Sequence, residues 1–275
     1  MSFPPYRTDC RAPASQLPQQ LPDVYNPSDT FEHEVSLMSN TTVLTEWFRH
    51  VPEDKWLRDP AACRADAKFI WDKLELKAGV KVLECPCGKA DLGFPLARLG
   101  AIVSGIDFNS HFIIGAKNKF QRAALEGSFK TADMRTCDLP TDMDVVINWG
   151  SSFGYFSDEG NSDLLQRFAG SLKHGGRLLI EVANPDLVVA GKATRIIASG
   201  DQVEEHWNNV THRATVIFPA TDFRGPVSAS VRVYSTDEFK KMLEAAGLSL
   251  VGFFGPGFAP FTADSPRLIV LAVKP

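Results

Sequence analysis

The chain has no apolar run approaching the roughly 20 residues that a membrane-spanning helix needs, although 44% of its 275 residues are hydrophobic. That balance predicts an ordinary globular protein with no membrane partner. An excess of either charge is missing too: 29 Lys and Arg stand against 33 Asp and Glu, a formal net charge of -4. With no Lys/Arg run and no interleaved basic and aromatic stretch, nucleic acid is argued against as the main partner and a small molecule is favoured. Cysteines are few and unpaired in pattern. The five (Cys10, Cys63, Cys85, Cys87, Cys137) are odd in number and scattered, which speaks against a disulfide framework and for a reducing compartment. Cys85-Pro86-Cys87 without a second Cys/His cluster is a poor zinc signature, so no metal is expected. The first residues, MSFPPYRTDCRAPASQLPQQLPDVYNP, lack the basic and then apolar segments of a secretory signal, so a cytoplasmic location is expected.

What is present divides the chain into three. Residues 1 to 60 begin with a Pro- and Gln-rich stretch that cannot nucleate a long helix, and continue with helical spacing of Phe31, Val35, Met38, Val43, Leu44, Trp47 and Phe48. They read as an N-terminal arm and helical cap. Asp59-Pro60 marks a helix start, with Phe69, Ile70 and Leu74 on one face of residues 61 to 76. Short apolar strands then alternate with helices: strands at 80–85, 101–107, 128–133, 143–148 and 177–182, and helices at 92–99, 110–125 and 159–173. This alternation predicts an α/β fold, a doubly wound and mostly parallel sheet covered by helices on both faces. Residues 186–234 break the rhythm with VEEHWNNVTHRATVIF and VSASVRVY, read as an antiparallel β insertion turning around Asp222 to Pro226. The core, 61–185, resumes over 235–275. Ser235 and Glu238 form a capping-box pair, Gly247 stands just past the helix end, and strands follow near 248–254 and 267–273.

In open parallel sheets the ligand lies at the carboxyl ends of the strands. Here those ends are Glu84 to Gly88, Asp107, Asp133 and Asn148, all polar against apolar strand interiors. Asp107 lies about twenty residues beyond the first turn, where a carboxylate accepts hydrogen bonds from ribose hydroxyls. The first turn, VLECPCGKA, is short of glycine: Pro86 and Ala90 stand where a pyrophosphate-binding turn would carry glycines. A nucleoside without a pyrophosphate fits this loop better than a dinucleotide.

These residues resemble the class I S-adenosylmethionine-dependent methyltransferases. VLECPCGKA matches their first motif, with Glu84 at its acid and Gly88 at its second glycine; a branch of the superfamily also carries a proline before Cys-Gly. GIDFNS (105–110), ADMR (132–135), NWGSSFGYFSDEGN (148–161) and LKHGGRLLIEV (172–182) resemble the later motifs in order and spacing. The resemblance spans residues 65–185 and 232–273. It implies a seven-stranded sheet with an antiparallel last strand, S-adenosylmethionine as cofactor, and methyl transfer to a small-molecule acceptor.

The resemblance further implies that Glu84 orients the methionine end through its amino group or a water, with Pro86 and Gly88 in the turn beside it. Asp107 would grip the ribose, Phe108 flank the adenine, and Asp133 with the Met134 backbone read the adenine edge. Asn148 and Trp149 would face the sulfonium or the acceptor; an aromatic face beside a cation contributes about 0.5 to 2 kcal/mol. Tyr25 is a candidate lid, and His206 a candidate base or acceptor ligand that shares a face with His212 if their segment is one strand. Lys89-Ala90-Asp91 departs from the family pattern beside the methionine tail. It keeps open attack at another sulfonium carbon, which would release methylthioadenosine, and a silent cofactor-binding module is a third reading.

Overall fold

A computed structural model of the protein describes residues 58–193, 204–218 and 227–275. The expected arm and helical cap, Tyr25 and the turn at 222–226 lie outside the described residues. The first described helix, α1 (Pro60–Lys73), starts where Asp59 and Pro60 predict. The Asp59 carboxylate accepts the Ala61 and Ala62 amides at 2.9 and 3.3 Å, and Pro60 takes a position whose missing N–H costs nothing. Ile70 and Leu74 are buried as expected, whereas Phe69 is 44% exposed; its ring lies beside Gly257 instead.

Seven strands form the main sheet: β1 (Lys81–Glu84), β2 (Ile102–Asp107), β3 (Gly127–Thr131), β4 (Met143–Asn148), β5 (Leu172–Ala183), β9 (Ser249–Phe254) and β10 (Arg267–Val273). Their order is β3-β2-β1-β4-β5-β10-β9. β10 alone runs antiparallel, to both β5 and β9. The doubly wound, seven-stranded fold read from the sequence is thus the observed one. Strand side chains alternate between two cores. Val82, Val145 and Ile147 face one, under α1, α2 (Gly93–Arg98) and α3 (Ser110–Arg122). Leu83 and Val146 face the other, under α4 (Asp158–Ser171) and α6 (Thr236–Ala245). Burial on both faces explains why these strands read as continuous apolar runs; each such side chain contributes about 1.5–3 kcal/mol. α6 begins with both halves of the capping box, Ser235 and Glu238, and Gly247 beyond its end has φ +71°.

The insertion opens with a short helix not expected from the sequence, α5 (Pro185–Val189), capped by the Asn184 side chain. It continues as a three-stranded antiparallel sheet, β6 (Glu204–Asn208), β7 (Arg213–Phe218) and β8 (Val227–Arg232), with β7 central. VEEHWNNVTHRATVIF is therefore a hairpin, not one unbroken strand. Asn208 pairs with Arg213, and the Asn208 carboxamide caps the turn by accepting the Val210 and Thr211 amides, both at 2.9 Å. His206 lies on β6 opposite Thr215, while His212 sits in the turn with φ +51° and its ring stacked on Trp207 at 6.2 Å. The two histidines do not share a strand face.

Candidate active site at the switch point of the sheet

β1 pairs with β2 on one side and with β4 on the other, so the chain leaves these two neighbouring strands in opposite directions. A crevice forms at such a switch point beyond the carboxyl ends of the strands. Cys85 N–H donates to the Ile147 carbonyl at 2.9 Å, and Asn148 Nδ2 donates to the Cys85 carbonyl at 2.9 Å, which ties the two strand ends together. Asn148 is fully buried, and its Oδ1 has no donor among the described residues. Past each strand end stands a glycine in the left-handed region, Gly88 (φ +52°) and Gly150 (φ +79°). No atom lies within 4 Å of where a Cβ would project from either, so both face open space.

The first loop is built from its backbone. After the cis Cys85–Pro86 bond, Cys87 N–H donates to the Ile106 carbonyl at 2.9 Å, and Ala90 N–H to the Cys87 carbonyl at 2.7 Å. Asp107 accepts from Gly88 N–H at 2.7 Å with Oδ2 and from Asn109 N–H at 2.8 Å with Oδ1. Burial pushes the Asp107 carboxyl up to about 6, against the pull of these amides. Ala90, where the family has a glycine, keeps the glycine conformation: its φ is +54° and its methyl is wholly buried in the core. The left-handed backbone costs an L-residue about 1–2 kcal/mol, which the packed methyl offsets in part. Asp91 pairs with Lys119 of α3 at 2.5 Å, and the Lys89 stem runs beside Gly115 of the same helix. The unusual Lys89-Ala90-Asp91 segment is thus accounted for by packing on α3.

Glu84 is turned inward. Its Oε2 accepts the Gly93 N–H at 2.9 Å at the start of α2, where Leu92 offers no side-chain cap. A Cβ on Gly93 would stand 2.7 Å from that oxygen, which accounts for the glycine. Burial raises the Glu84 carboxyl to about 8, opposed by the Gly93 amide and Arg58. Asp133 lies half-buried after β3. Burial works against its ionisation, but Arg135, bonded through Nε at 3.0 Å and Nη2 at 2.6 Å, holds it below the usual carboxylate range. The Met134 carbonyl accepts from Arg167 Nε at 3.2 Å, and Phe108 is half-buried beside Asp107.

Trp149 is 4% exposed, packed in the core cluster, with Nε1 donating to Asp66 of α1 at 3.2 Å and the Arg267 guanidinium 5.6 Å from its ring centroid. His206 is exposed, out on the hairpin. The structure therefore gathers Glu84, Pro86, Gly88, Asp107, Phe108 and Asn148 around the ends of three adjacent strands, with Asp133 and Met134 beyond the fourth, β3.

Three residues that shape the site went unread in the sequence. Glu181, near the end of β5, accepts the Gly150 amide at 2.6 Å with Oε2 and the Ser151 amide at 3.1 Å with its backbone carbonyl, and so fixes the segment after β4. Arg213 of β7 donates to the Phe156 carbonyl at 3.1 Å and to those of Gly154 and Tyr155, both at 3.4 Å. Gly154 accepts the Arg232 amide at 2.7 Å, and a Cβ on it would stand 2.2 Å from the Arg232 oxygen. The insertion is thus fastened to the post-β4 segment. The one available signal was Glu181 itself, a carboxylate inside the apolar strand RLLIEV. Among the described residues no cluster of three or more His, Cys, Asp or Glu has metal-site geometry, and no helix is long and apolar enough to cross a membrane.

Comparison with known proteins agrees with this geometry. Residues 82–176 match the family described as a methyltransferase domain. The ubiquinone biosynthesis O-methyltransferase of Nitrobacter winogradskyi is 30% identical over 132 residues, 47% of this chain and 48% of that protein. The enzyme of the same name from Coxiella burnetii is 27% identical over 117 residues, 42% of this chain and 49% of that protein. The chain thus spans about half the length of the curated relatives it matches. Among solved structures, an S-adenosylmethionine-dependent methyltransferase from Clostridium acetobutylicum superposes with a TM-score of 0.63 at 14% identity, over 90% of this chain and 99% of that one. The CcbJ methyltransferase of Streptomyces caelestis gives 0.63 at 18% identity, over 80% and 98%. With the strand order, the switch-point loop and the matched domain in agreement, the chain has the Rossmann-like fold of solved S-adenosylmethionine-dependent methyltransferases, and its residues 82–176 are similar to the methyltransferase domain family.

Proposed function

We propose that this protein binds S-adenosylmethionine at the ends of β1, β2 and β4 and transfers its methyl group to a small-molecule acceptor. The observation that carries the reading is Asp107, whose single carboxylate braces both the Gly88 turn and Asn109 at the position from which ribose hydroxyls are held. The unpartnered Asn148 Oδ1, buried beside the Cys85 carbonyl, fits a ligand that brings a hydrogen-bond donor there. When bound, the cofactor supplies an electrophilic methyl on a sulfonium.

The chain's own groups bind and align. Asp107 accepts from the ribose, Phe108 flanks the adenine, and Asp133 with the Met134 backbone meets the adenine edge. Pro86 and Gly88 leave the turn open to the cofactor's tail, and Glu84 holds that turn from behind through α2. Ser151, Phe153, Val182, Val231, Arg232 and Tyr234 line a hollow with room for about one water between the post-β4 segment and the insertion. Aligning a nucleophile and excluding water are the main requirements of an in-line displacement. Trp149 supports the segment from below. The relatives named as O-methyltransferases make a hydroxyl the first acceptor class to test, and His206 and Tyr25 are the base and lid candidates for it.

The test is to incubate the protein with S-adenosylmethionine, with and without a metabolite extract, and to identify the nucleoside product by mass spectrometry. S-adenosylhomocysteine supports methyl transfer. Methylthioadenosine would move the reading to attack at another carbon, and binding without product would make the protein a silent module. Absence of calorimetric binding would overturn the proposal.

A further inference from the structure

The residue expected to hold the cofactor's amino group is Glu84, and its carboxylate is occupied elsewhere. It is buried and accepts the Gly93 amide at the start of α2, and burial pushes it up to about 8, toward its neutral form. A bound ammonium therefore needs another acceptor near the β1 end. The described residues contain one buried side-chain oxygen or nitrogen without a partner, Asn148 Oδ1. Which atom of that amide is unpartnered follows from its neighbour: the Cys85 carbonyl can only accept, so the amide must present Nδ2 to it, as it does at 2.9 Å. The orphan is consequently an acceptor, and it suits an N–H group and repels a carboxylate. It lies at the end of β4, the strand next to β1, and the open-faced Gly88 and Gly150 turns follow these two strands.

We infer that Asn148 Oδ1 is the acceptor for the protonated α-amino group at the amino-acid end of the cofactor. The inference rests on the proposed S-adenosylmethionine site and assigns one atom within it. A hydrogen bond to a charged donor in an enclosed site changes affinity by roughly 10- to 100-fold.

The test compares ligands that differ in one group, by calorimetry on the full chain. S-adenosylhomocysteine is set against its analogue lacking the α-amino group, its analogue lacking the carboxylate, and methylthioadenosine, which lacks both. Asn148→Ala should weaken S-adenosylhomocysteine about 10- to 100-fold and leave the deaminated analogue and methylthioadenosine within about threefold of wild type. Equal weakening of the aminated and deaminated ligands would overturn the assignment. If Asn148→Ala fails to fold, the wild-type protein still decides: removing the amino group must cost more affinity than removing the carboxylate, and the reverse order refutes the inference. Should the wild type bind none of these nucleosides, the proposed function itself fails, an outcome separate from binding that ignores the amino group.

Discussion

Asp107 Oδ2 accepts the Gly88 amide at 2.7 Å, so the carboxylate proposed to hold a ribose is also the brace of the turn beside it. Removing it takes away an acceptor for the ligand and one for the loop together. Asp107→Ala should lower S-adenosylmethionine affinity by roughly 100-fold or more, since each hydrogen bond to a charged group contributes about 1.5–3 kcal/mol. Because burial raises this carboxyl to about 6, wild-type affinity should fall as the pH drops below that value and the group takes up a proton. Asp107→Asn should bind weakly and without that pH dependence. Calorimetric titrations between pH 5 and 8 check both outcomes.

Glu84 gives a stability signature of opposite direction to the usual carboxylate. Its folded value, about 8, lies above the ordinary 4.5, so between these the folded chain holds a proton that the unfolded chain releases. The contribution is fully present below about 4.5 and is lost as pH rises through 8, amounting to a few kcal/mol at most. Glu84→Gln keeps an oxygen for the Gly93 amide and cannot ionise. Its urea-unfolding free energy should decline less than that of wild type from pH 5 to 8; parallel declines would show that Glu84 is not held neutral.

The insertion is fastened where a side chain cannot fit. Gly154 has φ +107°, and a Cβ there would meet the Arg232 carbonyl oxygen at 2.2 Å. Gly154→Ala combines backbone strain with a backbone clash and should cost about 3 kcal/mol or more. It should also raise amide exchange in both the post-β4 segment and β8, which Arg213 and the Gly154–Arg232 bond hold together. Thermal unfolding followed by hydrogen-exchange mass spectrometry reads both effects.

Most of the core was legible because its signals are local. Strands buried on both faces are short apolar runs, Asp59-Pro60 and the Ser235/Glu238 pair mark helix starts, and the polar strand ends Glu84, Asp107, Asp133 and Asn148 stand out against them. The misreadings are long-range. Nothing local distinguishes a hairpin from a strand in VEEHWNNVTHRATVIF except the turn-forming Asn208-Asn209 pair, and the pairing of Asn208 with Arg213 decides it. Glu181 was hidden because its partner, the Gly150 amide, is 31 residues away. Glu84 was placed at the right strand end, but the direction of its side chain depends on Gly93, which admits the carboxylate by having no Cβ.

Ala90 separates a conformational requirement from a chemical one. The position demands a left-handed backbone, φ +54°, yet carries a methyl that is wholly buried. Ala90→Gly removes about 1–2 kcal/mol of backbone strain, but it loses about 0.8 kcal/mol of methyl burial and adds the chain entropy of glycine. These oppose each other, so the change in unfolding free energy should stay within about 1 kcal/mol, with cofactor affinity unchanged. Ala90→Val adds a β-branched side chain at positive φ and two carbons in a filled core, and should destabilise by about 2 kcal/mol or more. A stable valine variant with wild-type affinity would mean that the turn does not need the left-handed conformation, whereas the predicted pair of results makes the backbone, and not the missing glycine, the requirement of this loop.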